Sequence, residues 1–193
     1  MALFEGLDME RIVLVKTNAQ AQAALEDLMD ARVVGFDTES KPTFFKGQKS
    51  EGPHLFQFAT LERAYLFQIH LEDTHPTLIE VLQAAKLSKV GFGLGGDFRQ
   101  IQQRFGIRPA ATSDLDRTFR QIGYKNAIGA KTAVAMLFQR KLVKSKAVTT
   151  SNWAARELSE KQLIYAANDA YAALLVHHAL RDRQSSQVQD PAL

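Results

Sequence analysis

The stretch RVVGFDTES, Arg32–Ser40, decides how the rest of the chain is read. A short apolar run such as Val33, Val34 and Phe36 suits a strand buried on both faces, and this one ends in Asp37, Thr38 and Glu39. Side chains in a strand return to the same face every second residue, so Asp37 and Glu39 project together. Two like charges this close raise each other's pKa unless a cation sits between them, and hard divalent ions such as Mg²⁺ and Mn²⁺ prefer oxygen ligands. Taken alone, the pair also reads as a strand running out into solvent.

Toward the N-terminus, RIVLV (11–15) is expected to be a strand, and Thr17 or Asn18 to cap a helix through AQAALEDLMDA (21–31) with an apolar stripe of Ala24, Leu25, Leu28 and Met29. Toward the C-terminus, HLFQFAT (54–60) and AYLFQI (64–69) form an expected antiparallel hairpin turning at 61–63. PTLIEVLQAA (76–85) then reads as helix, KVGFGL (89–94) as strand and GGDFRQIQQRF (95–105) as helix. The alternation points to a βαβ arrangement and a mixed sheet with helices packed on it. Beyond Asp114 the chain reads as almost entirely helical, interrupted by a polar, basic loop, KLVKSKAVTTSN (141–152). A final helix is expected from about Ser159 to Arg183, followed by a polar, frayed tail at 184–193.

A chain of 193 residues that is 46% hydrophobic can bury a substantial core, and its length fits one domain spanning 1–193. No apolar run is long enough to cross a bilayer, and the N-terminus is acidic where a signal peptide is basic. A soluble, cytoplasmic protein is the expectation. The absence of cysteine excludes disulfides, thiolate metal sites and thiol nucleophiles, so any metal must be held by carboxylate or imidazole. The formal charge of +3 is small and tolerates a polyanionic partner without demanding one.

Two more acidic positions join the first pair. Asp97 follows Gly95 and Gly96 at a helix start, where it suits either a cap or a site at the sheet's end, the place where ligands gather in open α/β sheets. In YAANDAY (165–171), Tyr165 and Asp169 lie four residues apart and therefore share one helical face. By itself that pair also describes a core tyrosine beside an aspartate at a wet helix edge. Three separate elements that each offer acidic groups, with a phenol beside one of them, argue for two metal ions clamping a phosphodiester.

These residues carry a resemblance that covers nearly the whole chain. VGFDTES, VGFGLGGDFRQI and SNWAARELSEKQLIYAANDAYAALL are similar to the three motifs of the DEDD (DnaQ-like, ribonuclease H-like) superfamily of 3′-5′ exonucleases. The tyrosine places the likeness in its DEDDy branch, alongside the Werner-type exonuclease domain and the catalytic domain of ribonuclease D. The third motif is the most specific, with Ser151, Asn152, Trp153, Leu158, Gln162, Tyr165 and Asp169 all in place. Gly93 stands where ribonuclease D relatives usually carry Asn, which tilts the likeness toward the Werner type. Ser40 stands where Werner-type domains often have Trp. The helical domains that follow the catalytic part of ribonuclease D are not matched, so a free-standing catalytic module is expected.

The resemblance implies a ribonuclease H-like α/β fold, with three antiparallel-connected strands followed by parallel ones, flanking helices and a helical C-terminal half. It implies a 3′-5′ exonuclease that uses two divalent ions, Mg²⁺ or Mn²⁺, to release nucleoside 5′-monophosphates from a single-stranded or recessed 3′ end of DNA or RNA. Asp37, Glu39 and Asp169 would ligate one ion, Asp37 would bridge to the second, and Asp97 would support it. Tyr165 would orient the attacking water. The alternative is a catalytically silent nucleic-acid-binding or scaffold domain of the same fold.

Candidate substrate contacts are Phe44, Phe45 and Lys46 in KPTFFKGQK, with Lys144 and Lys146 in the basic loop, residue types that stack on bases and hold phosphates. Solvated loops explain the same patterns. The cluster His70, Glu72, Asp73 and His75 also reads as a solvated loop before a helix, and GFGLGG matches no phosphate-binding glycine spacing.

Overall fold

A computed structural model of the chain describes residues 1–188. Six strands make the main sheet: β2 (Ile12–Val15), β3 (Val33–Glu39), β4 (Leu55–Ala59), β5 (Ala64–Gln68), β6 (Ser88–Gly91) and β7 (Thr112–Asp114), in the order β2-β5-β4-β3-β6-β7. The β3, β4 and β5 pairings are antiparallel, as the hairpin pattern predicts, whereas β2 pairs with β5, β6 with β3, and β7 with β6 in parallel. A second, two-stranded sheet joins β1 (Ala2–Leu3) in parallel to β8 (Arg140–Lys141).

Helix α1 (Asn18–Ala31) begins in a capping box: the Gln20 N–H donates to the Thr17 hydroxyl at 3.2 Å while Thr17 N–H donates back to Gln20 Oε1 at 3.3 Å. With α2 (His75–Gln83) and α3 (Gly95–Phe105) it covers one face of the sheet. Ala21, Ala24 and Leu28 of α1, Leu78, Val81 and Leu82 of α2, and Ile101 of α3 pack there on Val34, Phe36, Phe56, Phe58 and Phe67. The other face belongs to α7 (Glu160–Val188), whose Ala166, Ala167 and Ala170 pack on Leu55, Ala59, Ala64 and Leu66. Helices α4 (Leu115–Gln121) and α5 (Ala130–Phe138) extend that side, and α6 (Lys146–Thr149) is a single short turn.

The period of two sorts β3 cleanly: Val34 and Phe36 enter the α1–α3 side, and Gly35, Asp37 and Glu39 the α7 side. Gly35 is what lets α7 in, since a Cβ built on it would lie 1.8 Å from the Ala170 carbonyl oxygen. The contact is backbone to backbone.

Several boundaries differ from the expectation for local reasons. The strand foreseen through KVGFGL stops at Gly91, and the chain bends at Gly93, whose φ of 64° is open to glycine. The C-terminal part is less helical than its composition suggests, because residues 122–129 and 150–159 form connections and β8 forms a strand. The basic loop at 141–152 contains α6. The final helix runs past Arg183 to Val188, so the expected frayed tail is helical over its first half, and 189–193 lie outside the described residues. Among the described residues, no helix is long and apolar enough to cross a membrane.

Candidate metal centre

Asp37 and Glu39 reach the site from the C-terminal end of β3, and Asp169 descends from the middle of α7. Ligand oxygens of these three carboxylates lie within 4.8 Å of one another, the only such acidic or histidine group found among the described residues. Asp97 arrives from the opposite layer. It sits in the first turn of α3, and its carboxylate accepts the hydroxyl of Thr38, the residue between Asp37 and Glu39. Asp97 therefore stands one hydroxyl removed from the three-carboxylate group while its charge still acts on Asp37.

The electrostatics are those of crowded, desolvated anions. Burial, then the charges of Asp169 and Asp97, hold the Asp37 carboxyl well above the usual carboxylate range. Burial and the Asp37 charge push Glu39 up to about 9. Asp97 and Asp169 are raised mainly by burial as well. Keeping all of these groups ionised at neutral pH requires positive charge among them. Part of it comes from the protein: Lys144 Nζ lies 2.7 Å from Asp169 Oδ2, with the lysine side chain 28% and the aspartate 4% exposed. Burial opposes the charge on that lysine, but the Asp169 carboxylate overrides it and leaves the ammonium harder to deprotonate than usual. One ammonium against four acidic groups leaves an excess of carboxylate oxygen. That donor set fits hard divalent cations, which are bound by one or two carboxylates with water and phosphate oxygens completing the shell.

Tyr165 is set by its neighbours. Its hydroxyl pairs with that of Thr149 at 2.9 Å, and its ring lies 5.9 Å from that of Trp153, centroid to centroid. Trp153 is fully buried and donates its indole N–H to the Thr149 carbonyl at 3.2 Å. The SNW segment is in turn tied to the start of α7, because Gln162 Nε2 donates to Ser151 Oγ at 3.0 Å and Gln162 Oε1 accepts Ser159 N–H at 3.0 Å. The motif residues thus build the platform on which the phenol stands. Burial and the Asp169 charge push that phenol up to about 12. It keeps its proton at neutral pH.

The other candidates divide. Lys144 lies in the site, 5.7 Å above the Tyr165 ring centre as well as against Asp169. Lys146 opens α6 and is exposed. Phe44 and Phe45 are 74% and 78% exposed on the connection between β3 and β4, and Lys46 beside them is exposed too. His75 accepts no metal role: its Nε2 sits 2.7 Å from the Ile69 carbonyl and its ring packs edge-on against Phe105.

Sequence reasoning passed over three residues that shape the site. Thr38 holds Asp97, Thr149 holds Tyr165, and Asn168 fastens the chain's start to α7. The Asn168 carboxamide accepts Leu7 N–H at 2.6 Å and donates to Leu7 O at 3.0 Å. Thr38 was discoverable, since it stands between two of the carboxylates on the strand; the other two depend on contacts that no local pattern encodes. A cavity of about 490 Å³ opens beside Tyr165 and Asp169, walled by Phe4, Leu142, Val143, Val148 and Ile164.

A protein-family model described as 3′-5′ exonuclease matches residues 12–184. The bifunctional 3′-5′ exonuclease/ATP-dependent helicase WRN of Mus musculus is 29% identical over 155 residues, which are 79% of this chain and 11% of that protein. A 3′-5′ exonuclease of Arabidopsis thaliana is 29% identical over 152 residues, 77% of this chain and 52% of that one. The chain therefore spans only part of the length of both relatives. The crystal structure of the Aedes aegypti Nibbler EXO domain superposes with a TM-score of 0.78 at 24% identity, covering 96% of this chain and 94% of that one. That likeness shows the mixed α/β fold expected from the motifs.

Proposed function

The chain belongs to the 3′-5′ exonuclease family, and from that premise we propose that it hydrolyses nucleic-acid phosphodiesters from the 3′ end at the Asp37, Glu39, Asp97 and Asp169 site, releasing nucleoside 5′-monophosphates. The observation that carries the proposal is the meeting of three carboxylates from β3 and α7 within 4.8 Å, with Asp169 buried and Asp37 and Glu39 half-buried. Asp37, Glu39 and Asp169 would hold one divalent ion, Mg²⁺ or Mn²⁺, and Asp37 with Asp97 a second. Such ions, when bound, supply a hydroxide at neutral pH and stabilise the oxygen that leaves.

The chain's own residues do the rest. Tyr165, protonated at neutral pH, orients the attacking water by hydrogen bonding and does not act as a free base. Thr149 and Trp153 keep its hydroxyl aimed at the carboxylates. Lys144 brings a positive charge to the place where a scissile phosphate would lie, and Lys146 adds another on the rim. Phe44 and Phe45 present exposed rings to which unpaired bases can stack.

End-labelled DNA and RNA oligonucleotides incubated with Mg²⁺, with Mn²⁺ and with chelator test the proposal. A ladder that shortens from the 3′ end only with metal, and that Asp37→Ala abolishes, supports it. Binding without shortening would instead mark a silent nucleic-acid-binding domain.

A further inference from the structure

Gln57 lies at the centre of β4 with no exposed surface, and neither its Nε2 nor its Oε1 has a hydrogen-bond partner among the described residues. A buried, unpaired carboxamide is unfavourable and rare in folded proteins. Its neighbour Gln68 on β5, almost equally buried, shows the ordinary solution by donating Nε2–H to the Ala155 carbonyl at 3.0 Å. Register explains where Gln57 points. It stands directly opposite Asp37 in the antiparallel β3–β4 pair, and Leu66 flanks it on β5. Residues paired in this way project from one face with their Cβ atoms about 4.5–5.5 Å apart. That face is the one α7 covers, since Leu55 and Ala59, two residues either side of Gln57, pack on Ala166, Ala167 and Ala170. The unpaired carboxamide thus lies under α7, on the inner side of Asp37.

We propose that Gln57 is a positioning residue for the metal centre, its carboxamide holding the inner side of the Asp37 carboxylate through one buried water. One oxygen of Asp37, Oδ1, already accepts the Thr38 N–H at 2.9 Å. A donor on the inner side would fix the remaining rotation of the carboxylate and so the direction in which its oxygens meet a cation. An amide suits this position because it donates a hydrogen bond without adding charge to a cluster already crowded with anions. Outer partners of ligating carboxylates act in this way, and their loss typically weakens metal binding about 10- to 100-fold. The inference rests on the metal-site reading above and assigns it one more residue.

The test uses Gln57→Met, which keeps length and volume while removing both polar atoms, with Gln68→Met as the comparison. Mn²⁺ affinity is measured by titration calorimetry, and the thermal midpoint of each metal-free protein is recorded. The expected result for Gln57→Met is Mn²⁺ binding weakened about tenfold with little change in the metal-free midpoint, because the amide makes no direct hydrogen bond to the rest of the protein. For Gln68→Met the expected pattern is the reverse: a lower midpoint and native Mn²⁺ affinity. Mn²⁺ affinity of Gln57→Met within twofold of the native protein's overturns the proposal whatever the midpoint does. A native protein that binds no Mn²⁺ overturns the metal-site reading itself, and the role of Gln57 with it.

Discussion

The two faces of the six-stranded sheet use the same strands in opposite ways. On the α1–α3 side, Phe36 and Phe58 lie 5.2 Å apart between ring centres and Phe58 meets Phe67 edge-on at 5.9 Å, all of them fully buried. On the α7 side the same strands present Gly35, Asp37 and Glu39 from β3 and Gln57 from β4, with Asp169 above them. One face gains stability from apolar burial. The other packs Leu55, Ala59 and Leu66 against α7 as well, but keeps among them crowded carboxylates and an unpaired amide, which oppose folding and are found where chemistry requires them. Adjacent residues on β3 therefore belong to different parts of the protein's economy of forces, and substitutions can separate them.

The largest expected effect is on hydrolysis. Asp37→Asn removes a ligand and should lower the exonuclease rate by about 10³-fold or more, while the metal-free protein unfolds at the same or a higher temperature because a disfavoured buried charge is gone. A metal-free midpoint that drops sharply would erase the contrast between the faces. One residue earlier, Phe36→Ala should cost about 3–5 kcal/mol of stability through the cavity it leaves. Mn²⁺ affinity of the folded fraction should stay near native; a large change there would show that the apolar face also sets the site.

Tyr165→Phe should lower turnover about 10²-fold by loosening the placement of the attacking water, with Mn²⁺ binding kept. An unchanged rate would remove the phenol from the mechanism. The gentlest test is pH. Glu39 titrates near 9 in the folded protein against an ordinary 4.5, so between those values the folded state keeps a proton that the unfolded chain has lost. Stability of the metal-free protein should accordingly fall as pH rises from 4.5 toward 9. Denaturation midpoints across that range in chelator should show the decline, and saturating Mg²⁺ should flatten it. A midpoint that climbs with pH in chelator would contradict the crowding of the carboxylates.

Much of the fold could be read because its signals are local. The β3 run ending in acidic residues, the 61–63 turn and the capping residue Thr17 each carry their geometry in a few neighbours. The place of β2 beside β5, and the pairing of β1 with β8, depend on chain segments far apart, where periodicity is silent. The site divides in the same way. Asp37 with Glu39 and Tyr165 with Asp169 follow from strand and helix periods, but that Lys144 reaches Asp169 from the basic loop does not. Gln57 was hidden because HLFQFAT reads as one apolar run. Only the register against β3 shows that its single amide faces Asp37 while Phe56 and Phe58 face away.

Gly35 has a consequence for how closely the carboxylates stand. The main chain of α7 rests on the main chain of β3 at Ala170, next to one carboxylate and two residues from another. The gap between Asp37 and Asp169 is thus bounded by packed peptide groups, like the jaws of a calliper clamped at the hinge. Any side chain at position 35 would push α7 away from β3 and part the carboxylates of Asp37 and Asp169, so the closeness of the acidic group depends on a position that has no side chain at all.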